Sequence, residues 1–131
     1  MGGERESTLE LMLDFDKRGG LIPAIAQDYQ SKEILMLAYV NKQAFEKTLE
    51  LGYATFWSTS RNELWTKGLT SGDKLLVKAI FVDCDQDAIV YQVEREGSGA
   101  CHTRDKQERF RRTCFYRMLK DGKLEFISGL E

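Results

Sequence analysis

The sequence predicts an α+β fold, a strand-rich single domain over residues 1–131 with one main helix over about residues 41–52. Three observations carry this reading. The stretch "NKQAFEKTLELG" has helical signals at both ends. The other apolar runs are rich in β-branched and aromatic residues and are punctuated by turn residues. A single proline, Pro23, no internal repeat and no low-complexity tract leave nothing to divide a chain long enough for one core.

In order, "LELMLDFD" alternates only in part and fits a strand or a short helix, and "KRGG" reads as a turn. "LIPAIAQDY" and "ILMLAYV" read as two strands of a hairpin joined by the polar "QSKE". In the helix, Asn41 is the expected N-cap, Ala44, Phe45, Leu49 and Leu51 lie near one stripe, and Gly52 ends it. "YATFWSTS" reads as a strand and "RNELWTKGLTSGD" as a loop. "KLLVKAIFV" and "AIVYQVE" are strands flanking an acidic cluster. "EGSGA" reads as flexible, "FRRTCFYRML" as a strand, and "KDGK" as the turn before a last strand, "LEFIS".

The formal net charge of −2 argues against general nucleic-acid binding, which wants a basic surface. The acidic N-terminus is not a secretory signal, and no run reaches the ~18 consecutive apolar residues of a membrane span, so a cytoplasmic location is expected. Three cysteines in a reducing compartment point to buried thiols or metal ligands rather than a disulfide framework.

"VDCDQDA" crowds Asp83, Asp85 and Asp87 together. Like charges this close need something positive between them. If the segment stays extended, the carboxylates face one way and suit Mg²⁺, while Cys84 faces the other way and suits Zn²⁺. If it is a hairpin tip, the directions are open, and a solvated acidic turn explains it as well. A calcium loop counted from Asp83 matches at Asp85, Asp87 and Glu94, but Ala88 stands where a glycine is needed and both flanks are strand-like.

Sixteen residues separate Cys84 from Cys101, and twelve separate Cys101 from Cys114, with no CxxC pair. The glycines before Cys101 suit a backbone that aims a thiol. His102, the single histidine, reads as a ligand, a general base or a packed core residue. The loop "SRNELWTKGLTSG" combines Ser60, Arg61, Trp65, Lys67, Ser71 and Gly72. Its cations and backbone N–H groups suit phosphate, and Trp65 suits stacking on a base, against the alternative of an ordinary surface loop.

Taken together and in this order, "GLIPAIAQDY", "EILMLAYVN", "ATFWSTSRNELWTKGLTSG", "VDCDQDA" and "ACHT…CFYR" resemble phosphoribosyl-AMP cyclohydrolase, across residues 20–117. That family acts at the third step of histidine biosynthesis, adding water at C6 of an N1-ribosylated adenine and breaking the N1–C6 bond. The resemblance implies an intertwined homodimer with one zinc per subunit, Cys101 and Cys114 coming from one chain and Cys84 from the other. It implies Mg²⁺ at Asp83, Asp85 and Asp87, and a phosphoribosyl nucleotide as substrate. Three thiolates leave one zinc position for water, whose pKa the metal lowers. His102 would then be the catalytic proton shuttle, and Ser60, Arg61, Trp65, Lys67, Ser71 and Gly72 would bind substrate. The chain departs from the family where Arg104 replaces a glycine after "CHT" and "RDKQERFRR" lengthens the spacer, an insertion expected to form a solvated bulge. No fused pyrophosphohydrolase domain is expected. The competing readings are a calcium-binding module without zinc and a structural zinc protein closed by His102 as fourth ligand.

Overall fold

Residues 3–131 are described by a computed structural model. Strands β1 (Ile22–Asp28), β2 (Ile34–Val40), β5 (Leu75–Val82) and β6 (Ile89–Arg95) form a four-stranded sheet in the order β2-β1-β6-β5. β1 runs antiparallel to β2, as the hairpin pattern predicts, and β5 antiparallel to β6. β1 and β6 are parallel, with Ala24 opposite Ile89 and Ala26 opposite Tyr91. Such a pairing needs a long crossover. Here it carries helix α2 (Lys42–Leu51) and the two-stranded ribbon β3 (Thr55–Ser58) and β4 (Glu63–Thr66). A second ribbon, β7 (Arg117–Lys120) and β8 (Lys123–Phe126), closes the chain, and a four-residue helix α1 (Glu4–Ser7) opens it.

The helix begins and ends as its sequence dictates. Asn41 Oδ1 accepts from Ala44 N–H at 2.8 Å, and Gly52, at φ 80°, donates to Thr48 O at 2.8 Å. Its buried stripe is Ala44, Phe45 and Thr48, whereas Leu49 is 56% exposed and Leu51 43%. The helix meets β2, β3 and β4 along one narrow side, so the expected outer leucines stay in solvent. Thr48 replaces them by chemistry: its hydroxyl accepts from Thr55 N–H (3.0 Å) and from the Tyr91 phenol (3.3 Å). Burial pushes that phenol up to about 12, so it remains a donor.

The core gathers Ile22, Ala24 and Ala26 of β1, Ile89, Tyr91 and Val93 of β6, Leu35 and Val40 of β2, Leu75 of β5 and Phe56 of β3. Phe56 is fully buried, with ring centroids 6.0 Å from Tyr91 and 5.7 Å from Trp65. Phe56→Ala is therefore expected to cost about 3–5 kcal/mol in urea unfolding. Leu49→Ala should cost less than about 0.5 kcal/mol. Equal costs would refute this placement of the core.

Three expectations fail in the tertiary structure. The segment 61–73 is not all loop, because β4 pairs with β3 and sets Trp65 against Phe56. Residues 110–119 are not one strand: only Arg117–Lys120 pairs, and the preceding stretch is held by Cys114 N–H donating to Leu35 O at 2.7 Å. Residues 9–15 form neither strand nor helix but an arm tied to Gln86, and a short 3-10 helix, Asp16–Arg18, follows. Met12 N–H donates to Gln86 Oε1 (2.6 Å), Asp14 N–H donates to Gln86 O (2.8 Å), and Gln86 Nε2 donates to Arg5 O and Glu10 O (3.2 Å each).

Candidate active site

The acidic segment is the turn between β5 and β6, so the hairpin-tip alternative holds and the extended one does not. Asp83 N–H donates to Ala88 O (3.1 Å), Gln86 N–H donates to Asp83 O (3.2 Å), and Gln86 sits at φ 57°. The turn still brings the carboxylates together: oxygens of Asp83, Asp85 and Asp87 lie within 4.8 Å of one another, the only group of three or more such ligands among the described residues. With antiparallel strands on both sides and Glu94 inside β6, the calcium-loop alternative finds no helices to frame it.

Electrostatics explain how three acids tolerate each other. Lys17 Nζ donates to Asp87 Oδ2 at 2.6 Å and to Asp85 Oδ2 at 3.1 Å, and Arg18 Nη1 donates to Asp87 Oδ2 at 3.0 Å. The Lys17 ammonium, more than any other neighbour, holds the Asp87 carboxyl well below the usual range, and the same contacts raise Lys17. Asp87 is ionised and tied above the ordinary value of 3.8, and Lys17 remains charged up to and beyond 10.5. The electrostatic tie is thus complete between those limits. It weakens as acid titrates Asp87 through its depressed pKa or as base titrates Lys17 through its raised one. Asp83 is exposed as a residue, yet its Oδ1 turns inward to accept from Asp87 N–H (2.9 Å) and Ala88 N–H (3.1 Å). Desolvation, reinforced by Asp87, shifts Asp83 upward despite those backbone bonds.

The thiols are free and fall into two places. Cys101 and Cys114 meet although twelve residues separate them. Gly99 makes this possible, because a Cβ there would lie 2.1 Å from Arg111 O. The close approach lets Ala100 N–H donate to Arg112 O and Cys101 N–H to Arg111 O, both at 3.1 Å. At least one glycine before Cys101 thus serves backbone proximity rather than flexibility. Cys114 is exposed as a residue, but desolvation, with the Cys101 thiol beside it, pushes its own thiol up to about 12, opposed by the Lys67 ammonium. The Cys114 thiol, which resists ionisation beside a second sulfur, is relieved by a soft cation, so this donor pair suits zinc. Cys84 lies on the acidic turn, is exposed, and forms no three-ligand group with Cys101 and Cys114 within one chain among the described residues.

The remaining predicted residues divide. His102 is exposed, which removes the packed-core alternative. Ser60 and Arg61 sit exposed at the β3–β4 turn, where Arg61 N–H donates to Ser58 Oγ (3.2 Å). Ser71 and Gly72 are exposed in the loop before β5, and Trp65 is 37% exposed on β4. Lys67 is only 9% exposed and stands beside the Cys114 thiol. The 104–112 insertion is more than a solvated bulge. Asp105 Oδ1 caps the N–H groups of Gln107 and Arg109 (2.9 Å each), the Arg104 guanidinium stacks 4.4 Å from the Phe110 ring centroid, and Arg112 forks onto Glu33 (2.7 and 3.1 Å). Lys17, Arg18, Gln86 and Thr103 escaped the sequence reading. Lys17 contacts a carboxylate 70 residues away, a separation at which no local pattern signals the pairing. Thr103 alone carried a signal, two residues from Cys101.

A family model described as phosphoribosyl-AMP cyclohydrolase matches residues 36–116. A relative of that name from Desulfatibacillum aliphaticivorans is 54% identical over 115 residues, covering 88% of this chain and 87% of the relative. Another, from Methanothrix thermoacetophila, is 56% identical over 106 residues, 81% of each chain. A bifunctional histidine biosynthesis protein from Aquifex aeolicus is 48% identical over 115 residues, which span 88% of this chain and about half (53%) of that one. With the acidic turn and the thiol pair lying within residues 36–116, the chain belongs to the phosphoribosyl-AMP cyclohydrolase family.

Proposed function

We propose that the chain hydrolyses 1-(5-phosphoribosyl)-AMP in the cytoplasm as an intertwined homodimer. Zinc would be held by Cys101 and Cys114 of one subunit and Cys84 of the other, and Mg²⁺ by Asp83, Asp85 and Asp87. The family assigns the activity: a hydrolase of histidine biosynthesis that opens the adenine ring at N1–C6. The observation that carries the zinc reading is the meeting of Cys101 and Cys114, which supplies two sulfurs where a catalytic zinc site needs three protein ligands. Cys84 faces solvent, available to another chain. The dimer is supported by the β7–β8 ribbon, every residue of which is exposed, including Leu119 at 71% and Leu124 at 61%. A bare two-stranded ribbon is marginal in water, and such apolar surface calls for a cover.

In the reaction, water oxygen bonds to C6 and the N1–C6 bond breaks; of the water's two protons one ends on N1 and the other on the exocyclic nitrogen, an imine in the neutral N1-substituted ring, which becomes the carboxamide NH2. Bound at the sulfurs, zinc would supply the Lewis acidity that activates water near neutral pH. His102, exposed beside Cys101, takes the proton from water and returns one to N1. Arg61, with Ser60, Ser71 and Gly72, binds phosphate from the two loops flanking β4, and Trp65 offers a partly exposed ring for stacking. Lys67, beside Cys114, supplies positive charge at the base of the site.

The test is turnover of phosphoribosyl-AMP by the purified chain, followed by ultraviolet absorbance, with and without a zinc chelator. About one zinc per chain and chelator-sensitive turnover are expected. Full turnover by zinc-free protein would refute the metal assignment. The acidic turn has its own test, since Lys17 already lies on the oxygens a divalent ion needs. Lys17→Met should tighten Mg²⁺ binding in calorimetry by roughly tenfold, and unchanged or weaker binding would show that the ion sits elsewhere.

A further inference from the structure

Arg111 is a guanidinium 9% exposed that takes part in no ion pair among the described residues. A buried cation without an anion is costly, and native chains seldom keep one. Stacking offsets part of the cost: the guanidinium lies 4.1 Å from the Tyr116 ring centroid and 5.4 Å from that of Phe126. Its Nε donates to Leu130 O (2.7 Å), and its Nη1 donates to Thr103 Oγ1 (3.1 Å). These contacts fix its direction and leave its charge unanswered.

The hydroxyl shows where the charge is aimed. A guanidinium only donates, so Thr103 Oγ1 accepts from Arg111, and its own proton is free for another acceptor. Cys101 Sγ lies 2.9 Å from that oxygen. Thr103 N–H reaches the same sulfur at 3.4 Å. With that proton turned to Cys101, two donors converge on one sulfur, the arrangement that serves a metal-bound thiolate. The backbone enforces it, because Arg111 N–H donates to Thr103 O (3.0 Å) and Cys101 N–H to Arg111 O (3.1 Å). Lys67, 9% exposed and likewise in none of those ion pairs, stands beside the other sulfur. Two buried cations without carboxylates therefore flank two thiols.

We propose that Arg111, acting through the Thr103 hydroxyl, is the counter-charge of the Cys101 thiolate and a positioning residue for the metal it holds. This rests on the thiolate–zinc reading above. Three thiolates around a divalent ion leave one net negative charge, and a relay from a fixed guanidinium both neutralises it and sets the direction of the sulfur lone pairs. Outer hydrogen bonds of this kind orient the ligand and tune the metal.

The experiment uses the full chain loaded with Co²⁺ for the sulfur-to-metal charge-transfer band, and with Zn²⁺ for affinity by chelator competition. Thr103→Val, which keeps shape and removes the hydroxyl, is expected to weaken zinc about 10–100-fold and to move the band, while Thr103→Ser restores both. Arg111→Gln should weaken zinc in the wild-type background and add much less once Thr103→Val has cut the relay. The proposal is overturned if Thr103→Val matches the wild type in affinity and spectrum, if Thr103→Ser is as defective as Thr103→Val, or if Arg111→Gln costs the same in both backgrounds. A wild-type protein that takes up Co²⁺ without a thiolate band overturns the zinc reading and this one together.

Discussion

Co-expressing Cys84→Ala and Cys101→Ala chains, each inactive alone, is expected to restore about one quarter of wild-type turnover. The motive is the separation of the thiols: Cys101 and Cys114 meet in one place, while Cys84 sits exposed on the acidic turn and forms no group with them in the same chain. In a two-fold dimer with shared sites, random pairing makes about half of the dimers mixed. A mixed dimer has one site lacking both Cys84 and Cys101 and one site wholly intact. The zinc content of the mixture should rise in step with activity. Co-expressed protein as inactive as its parents would show that the sulfurs do not come from two chains. A Cys84→Ala protein that keeps zinc and turnover would remove Cys84 from the site altogether.

His102→Ala is expected to lower kcat by about 10²–10⁴-fold while zinc content stays at the wild-type level. The histidine is exposed and adjacent to the buried Cys101. It can therefore reach a substrate that approaches the sulfurs without itself being part of the core. His102 is exposed where Cys101 is buried, which argues against both gripping one ion. Metal analysis of the purified variant separates the roles: loss of zinc along with activity would make His102 a ligand, as in the structural-zinc alternative. Retained turnover would leave the proton transfer to another group.

The helix shows what local sequence encodes. Asn41 caps it and Gly52 ends it because both interactions are closed within four residues. The same holds for the β1–β2 hairpin and for the crowding of Asp83, Asp85 and Asp87 on one turn. Where a contact partner is distant, the pattern misleads. Leu49 and Leu51 belong to an apolar stripe by periodicity, yet no strand arrives to cover them. Trp65 reads as part of a loop until Phe56 offers it a ring to pack against.

The sequence by itself determined the α+β class, the helix limits, the acidic turn and the residue types from which the family is recognised. These depend on backbone periodicity, capping and turn chemistry, all short-range. Only the tertiary structure decided that Lys17 and Arg18 lie on Asp87, that Gln86 ties down the N-terminal arm, and that Arg111 reaches Cys101 through Thr103. Charge neutralisation and hydrogen-bond satisfaction act through space, and a buried polar group takes whichever partner the fold brings near, however far away it lies along the chain.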